Sequence, residues 1–192
     1  MARIPSEKFE EILRLVWSHL VAANGHLTIW EELRSTPDRE RLCDTYSGFF
    51  HWTRDAHIDR FIHKICVVTD TDKSQPSIHK LANIIQADPS VASGIDFKTV
   101  LGRLDHHAQV QYEIRAVRDT RSSHWDMSKK PPEPEVAKCR ELLKELNAIL
   151  EDLWNAHRPS PTGGRNSYSL TPIEHSHTAY ILDKLTGLKT AG

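Results

Sequence analysis

Cysteine is scarce and poorly spaced for covalent or metal work. Cys43, Cys66 and Cys139 are odd in number, far apart and without a C-x-x-C pair. That spacing disfavours a disulfide framework and a zinc ribbon, and fits a reducing compartment. Long apolar runs are missing too. Stretches such as residues 20–23 and 65–68 end far short of the ~20 residues of a membrane span. The first residues turn acidic at Glu7, Glu10 and Glu11, where a signal peptide would turn apolar. The expectation is a soluble, cytoplasmic protein with no membrane contact. Nor does one sign of charge dominate: 25 Lys+Arg face 26 Asp+Glu for a net charge of −1. A globally basic coat for nucleic acid is thereby excluded, so any such contact must come from a local patch.

Histidine, by contrast, is abundant. There are 12, and protonating all of them would carry the formal charge from −1 to +11. The charge is most labile between about pH 5 and 8. His51, His57 and His63 recur at steps of six, which do not share a helix face, and no His-Glu-x-x-His pair occurs. Asp55 and Asp59 beside His57 read as solvated surface. No metal site and no cofactor is expected.

Ten prolines divide the 192 residues and leave long gaps at 6–36, 38–75, 90–130 and 135–158. Proline is costly inside a helix, so these gaps are the helix candidates. In the first, Phe9, Leu13, Val16, Leu20, Ala23, Leu27 and Trp30 alternate steps of four and three, one buried helix face. The pattern predicts a single long helix, with a weak point near Asn24-Gly25. The second gap reads as one helix from about Asp38 to Thr69, followed by a short one carrying Ile78, Leu81, Ala82 and Ile85. A third long helix starts near Asp96, and its stripe from Phe97 to Val117 turns polar toward the C-terminal end, as a cleft-lining end would. After the stiff linker 128–134 comes a strongly patterned helix through Cys139, Leu142, Leu143, Leu146, Ile149, Leu150 and Leu153. Residues 158–167 are loop by composition, and Thr171-Pro-Ile-Glu is a capping box opening a last short helix. The fold class is all-α, a bundle of four to five long helices with short additions. Residues 1–157 form the bundle, and 158–192 form a loop and short helix packed on or extending it. Trp17, Trp30, Trp52 and Trp154 lie on or near apolar stripes and are expected in the core or at a dimer interface.

The most informative segment is Arg115-Ala-Val-Arg118-Asp119-Thr-Arg121-Ser-Ser-His124-Trp125-Asp126. Arginines at steps of three form one slowly drifting helix ridge, with His124 as its next step. Guanidiniums hold a phosphate bidentately and stay charged, while an imidazole near neutrality passes protons. Asp119 or Asp126 would orient an arginine or fix the imidazole tautomer, and Trp125 could stack a base. On an ideal helix Arg118 and His124 stand about 120° apart. They converge only if the helix loosens or a second subunit closes the site. A solvated, salt-bridged helix end is the plain alternative.

This segment resembles the signature of the HEPN superfamily: Arg, a polar residue, a few more positions, then His. Here it runs from Arg118-Asp119 to His124. The acidic turn Val67-Val68-Thr69-Asp70, the short following helix and His124-Trp-Asp126 resemble the abortive-infection, AbiU-like branch, over roughly residues 5–157. Arg121 inside the motif and the proline linker after Asp126 depart from the pattern. The resemblance implies a metal-independent endoribonuclease acting as a homodimer on RNA, in phage defence or a toxin–antitoxin system. A partner antitoxin or nucleotidyltransferase would accompany it. It assigns catalysis to Arg118 and His124; by the chemistry of the segment Asp119 joins them, and Arg115, Arg121, Trp125 and Asp126 are the candidate nucleic-acid contacts. A non-catalytic HEPN module that binds nucleotide, RNA or protein is the alternative.

Overall fold

A computed structural model describes residues 6–72, 74–123, 135–159 and 175–187. Every regular element among them is helical. The order is α1 (Ser6–Glu32), α2 (Pro37–Thr45), α3 (Ser47–Val68), α4 (Ile78–Ala87), α5 (Phe97–Asp105), α6 (Ala108–Ser123), α7 (Val136–His157) and α8 (His175–Gly187), with a 3-10 turn at Pro89–Ala92. Four of these are long, and the fold is the expected all-α, HEPN-like bundle.

Helix α1 is the central element, packed between α3 and α7. All seven residues of its stripe, from Phe9 to Trp30, are buried. It runs unbroken through Asn24-Gly25, because the polar groups that would weaken it are answered from outside. Arg140 of α7 donates to Asn24 Oδ1 at 2.6 Å and Thr28 Oγ1 at 2.9 Å, and also binds Glu31. The α7 stripe from Cys139 to Leu153 is likewise buried against the same core. Burial pushes the Cys139 thiol up to about 12, so it is a core residue without nucleophilic character.

Two expected helices are each divided. The span 38–69 breaks at Tyr46, which leaves helical geometry with φ −113° and ψ 45°. The break lets Leu42 of α2 and Phe50 of α3 close on Leu33 and Leu182, a small cluster apart from the main core. The helix opening near Asp96 ends at Asp105, and α6 restarts after a turn at His106-His107. There the buried Gln111 side chain donates to Leu104 O at 2.7 Å, filling a carbonyl that a continuing helix would have used. Helix α4 begins after Ser77, whose hydroxyl accepts from Lys80 N, as the apolar steps at 78, 81, 82 and 85 require. Helix α8 docks on the α1–α2 corner through Leu182 and the Asp183–Arg39 ion pair at 2.8 Å.

Trp30 is buried, and Trp17 and Trp154 pack against the core. Trp52 does not: it is 67% exposed, on the outer side of α3. No described helix is long and apolar enough to cross a membrane.

Candidate functional site

Helix α6 lies against α3, and its arginines give the direction. Arg115 reaches Thr69 at the end of α3, whereas Arg121 reaches Asp59 and Asp55 further back. The two helices are therefore antiparallel. A step of three residues turns a helix by about −60°, so the arginines fan across this seam and meet different partners.

Arg115 Nη2 donates to Thr69 O at 2.6 Å. Thr69 is the C-cap of α3, so the guanidinium sits on carbonyls at the negative end of the helix dipole. Arg121 Nε pairs with Asp59 Oδ1 at 2.5 Å, and its Nη2 lies 3.6 Å from Asp55. Asp55 in turn lies 3.3 Å from His51 Nε2. Burial raises the Asp59 carboxyl above its ordinary value, against the pull of Arg121. Asp55 and Asp59 are thus partners of the ridge; Asp59 is exposed, as the sequence pattern expects, and Asp55 is partly covered.

Arg118 is more open than Arg121, whose side chain is 23% exposed. Asp119 Oδ1 accepts from its Nε at 2.9 Å and lies 2.8 Å from Nη2, while 40% of the arginine side chain faces solvent. The bond to Asp119 holds the guanidinium above its ordinary pKa, so its charge is permanent. Asp119 and Arg118 thus pair along the surface of α6. Behind Arg118 lies the buried Cys66, whose thiol burial pushes up while Arg118 and Arg115 pull it down.

The same end of the bundle holds groups that the motif does not include. Half-buried His79 of α4 lies within electrostatic reach of Arg115, Asp105 and Asp70. Burial, reinforced by Arg115, holds its imidazole below the ordinary value. Its signal in the sequence was only its place one residue into a helix that follows the acidic turn. His57, set aside as a metal ligand, turns to α1, where its Nδ1 meets His26 Nδ1 at 2.9 Å.

Arg115, Arg118, Asp119 and Arg121 are thus brought to one seam. His124, Trp125 and Asp126 lie outside the described residues, directly after the last residue of α6. The described arrangement offers three guanidiniums that all engage α3, of which Arg118 is also oriented by Asp119 and keeps 40% of its side chain open to solvent. That suits binding an anionic oxygen at Arg118 and stabilising charge that builds on it.

The family model HEPN_AbiU2, described as AbiU2, matches residues 6–170. No curated protein and no solved structure matches the chain.

Proposed function

The chain belongs to the AbiU2 family of HEPN proteins, and on that premise we propose that it is a metal-independent endoribonuclease. It acts as a homodimer, in phage defence or a toxin–antitoxin system. The observation that carries this reading is the setting of Arg118. Its flanking arginines are committed to Thr69 and to Asp55 and Asp59. Arg118 is held by its own neighbour Asp119 and lies within hydrogen-bond reach of Cys66 on α3, with 40% of its side chain facing solvent.

In the reaction, the RNA 2′-oxygen attacks the adjacent phosphorus as His124 takes the 2′-hydroxyl proton. The bond from phosphorus to the 5′-oxygen breaks, that oxygen receives a proton, and a 2′,3′-cyclic phosphate remains. Arg118 binds the phosphoryl oxygens and gains strength as their charge grows, which is where a positioned cation accelerates the step. Asp119 keeps the guanidinium aimed. A two-fold pairing of chains doubles the Arg/His set and supplies the basic patch that a net charge of −1 denies one copy.

The test is cleavage of a labelled single-stranded RNA by the purified protein in EDTA. His124→Ala and Arg118→Ala each abolish cleavage while the melting temperature stays near that of the parent. Cleavage that survives both substitutions refutes the reading. Binding of RNA at the Arg115–Arg121 ridge with no cleavage of any RNA places the protein among the non-catalytic modules.

A further inference from the structure

Helix α3 carries a second stripe, on the side away from the core. Phe49, Trp52, Ala56, Arg60 and His63 follow steps of three, four, four and three, the spacing of a single helix face. All five are exposed, Phe49 at 69% and Trp52 at 67%. A buried stripe with this spacing needs no comment, but large aromatics held in water mark a surface that something covers. The stripe changes character along its length. It begins with two aromatic rings, passes a small residue, and ends in a guanidinium and an imidazole. At 1.5 Å per residue it spans about 21 Å.

The neighbours settle its charge. Arg60 has no ion pair among the described residues. The carboxylates on the flank, Asp55 and Asp59, are both held by Arg121, which offsets one of their two negative charges. Asp59 stands between Ala56 and Arg60 on the turn that Arg121 grips, so the stripe borders the ridge that carries Arg118. A chain-to-chain contact concentrates apolar residues and sheds charge at its centre. Flat rings followed by a guanidinium and an imidazole, beside the arginine ridge, match a single strand, whose unstacked bases offer faces to the rings and phosphates to Arg60.

We propose that the outer face of α3 is the docking track for single-stranded RNA, with Phe49 and Trp52 stacking bases and Arg60 holding a phosphate. This rests on the ribonuclease reading above and names its substrate-positioning residues. Paired RNA keeps its bases inside the duplex and makes a poorer ligand for the same track.

The experiment measures anisotropy of a fluorescein-labelled, mixed-sequence 2′-O-methyl RNA single strand, which lacks the 2′-hydroxyl nucleophile and stays intact. Trp52→Ala and Phe49→Ala each weaken binding about fivefold to 150-fold, the range of a lost base–aromatic stack. Trp52→Phe keeps most of the affinity. Arg60→Gln lowers the slope of log affinity against log salt by about 0.7, the value for one phosphate contact on a single strand. With cleavable RNA, the aromatic variants raise KM more than they lower kcat. Light scattering shows the parent's oligomeric state in every variant. Affinities within about twofold of the parent for both alanine variants overturn the track. So does a loss of binding that coincides with a change of oligomeric state, which assigns the stripe to a second copy. If the alanine variants bind as the parent does while His124→Ala abolishes cleavage, the track fails and the ribonuclease reading stands. If the parent neither binds nor cleaves RNA, both fall.

Discussion

Arg140 is the most consequential single contact between α7 and α1. Its guanidinium meets Asn24, Thr28 and Glu31, and the first two are 6% and 3% exposed. Replacing Arg140 by Ala leaves an amide oxygen and a hydroxyl buried with one partner fewer. Each such loss costs about 1–3 kcal/mol. The ion pair with Glu31 adds little, about 0–1 kcal/mol, because a third of each side chain is open to water. Together the loss is about 3 kcal/mol, or roughly 6–12 °C in Tm for a chain of this length. Urea denaturation at neutral pH measures it as a lower midpoint with an unchanged slope. The decisive comparison is the triple variant Asn24→Leu, Thr28→Val, Arg140→Met. It removes the stranded groups along with their partner and recovers most of the stability. An Arg140→Ala variant within about 0.5 kcal/mol of the parent refutes this reasoning. A triple variant as unstable as the single one does so too.

Other outcomes follow from the same contacts. His26 and His57 sit below the ordinary imidazole value of 6.5, burial being the first cause for both. Below about pH 6.5 the unfolded chain therefore takes up protons that the folded pair refuses, so stability is complete above that pH and declines beneath it. A melting temperature that does not fall from pH 7.5 to 5.5, or that falls just as far in His57→Gln, contradicts this. Leu182→Ala removes the apolar anchor of α8 and costs about 2–3 kcal/mol locally. Limited proteolysis then cuts near α8 while the α1–α3–α7 core stays protected, and cleavage that spreads through the core counts against the assignment. Arg121→Ala frees Asp55 and Asp59, so it lowers stability by about 1 kcal/mol and slows cleavage less than Arg118→Ala does. Equal losses of activity in the two variants show that the arginines share one role.

The long buried stripes were legible because they report a single physical fact, one apolar face per helix. Phe9 to Trp30 and Cys139 to Leu153 needed nothing beyond a 3.6-residue period. The breaks at Tyr46 and at His106-His107 carry no proline or glycine at the breaking residues. The first arises from a partner far along the chain, Leu182 closing on Leu42 and Phe50, and the second from Gln111, seven residues beyond Leu104, whose side chain caps the Leu104 carbonyl. The arginine ridge was visible as a group, but the fate of each arginine is set by α3. Thr69, Asp59 and Asp55 lie more than forty positions away, and no local pattern ties them to α6. Trp52 shows the reverse. An aromatic near an apolar stripe is expected in the core or at a dimer interface, and the core placement fails, because it stands with Ala56 and Arg60 on the outer side of its helix.

The central claim is that Arg118 and His124 cleave RNA by attack of its own 2′-oxygen. Mass spectrometry of the products formed in EDTA tests it most directly. A 2′,3′-cyclic phosphate on the upstream fragment and a 5′-hydroxyl on the downstream one, both absent with Arg118→Ala or His124→Ala, are the expected result. Fragments ending in a 3′-hydroxyl and a 5′-phosphate, or cyclic ends produced equally by the two variants, contradict it.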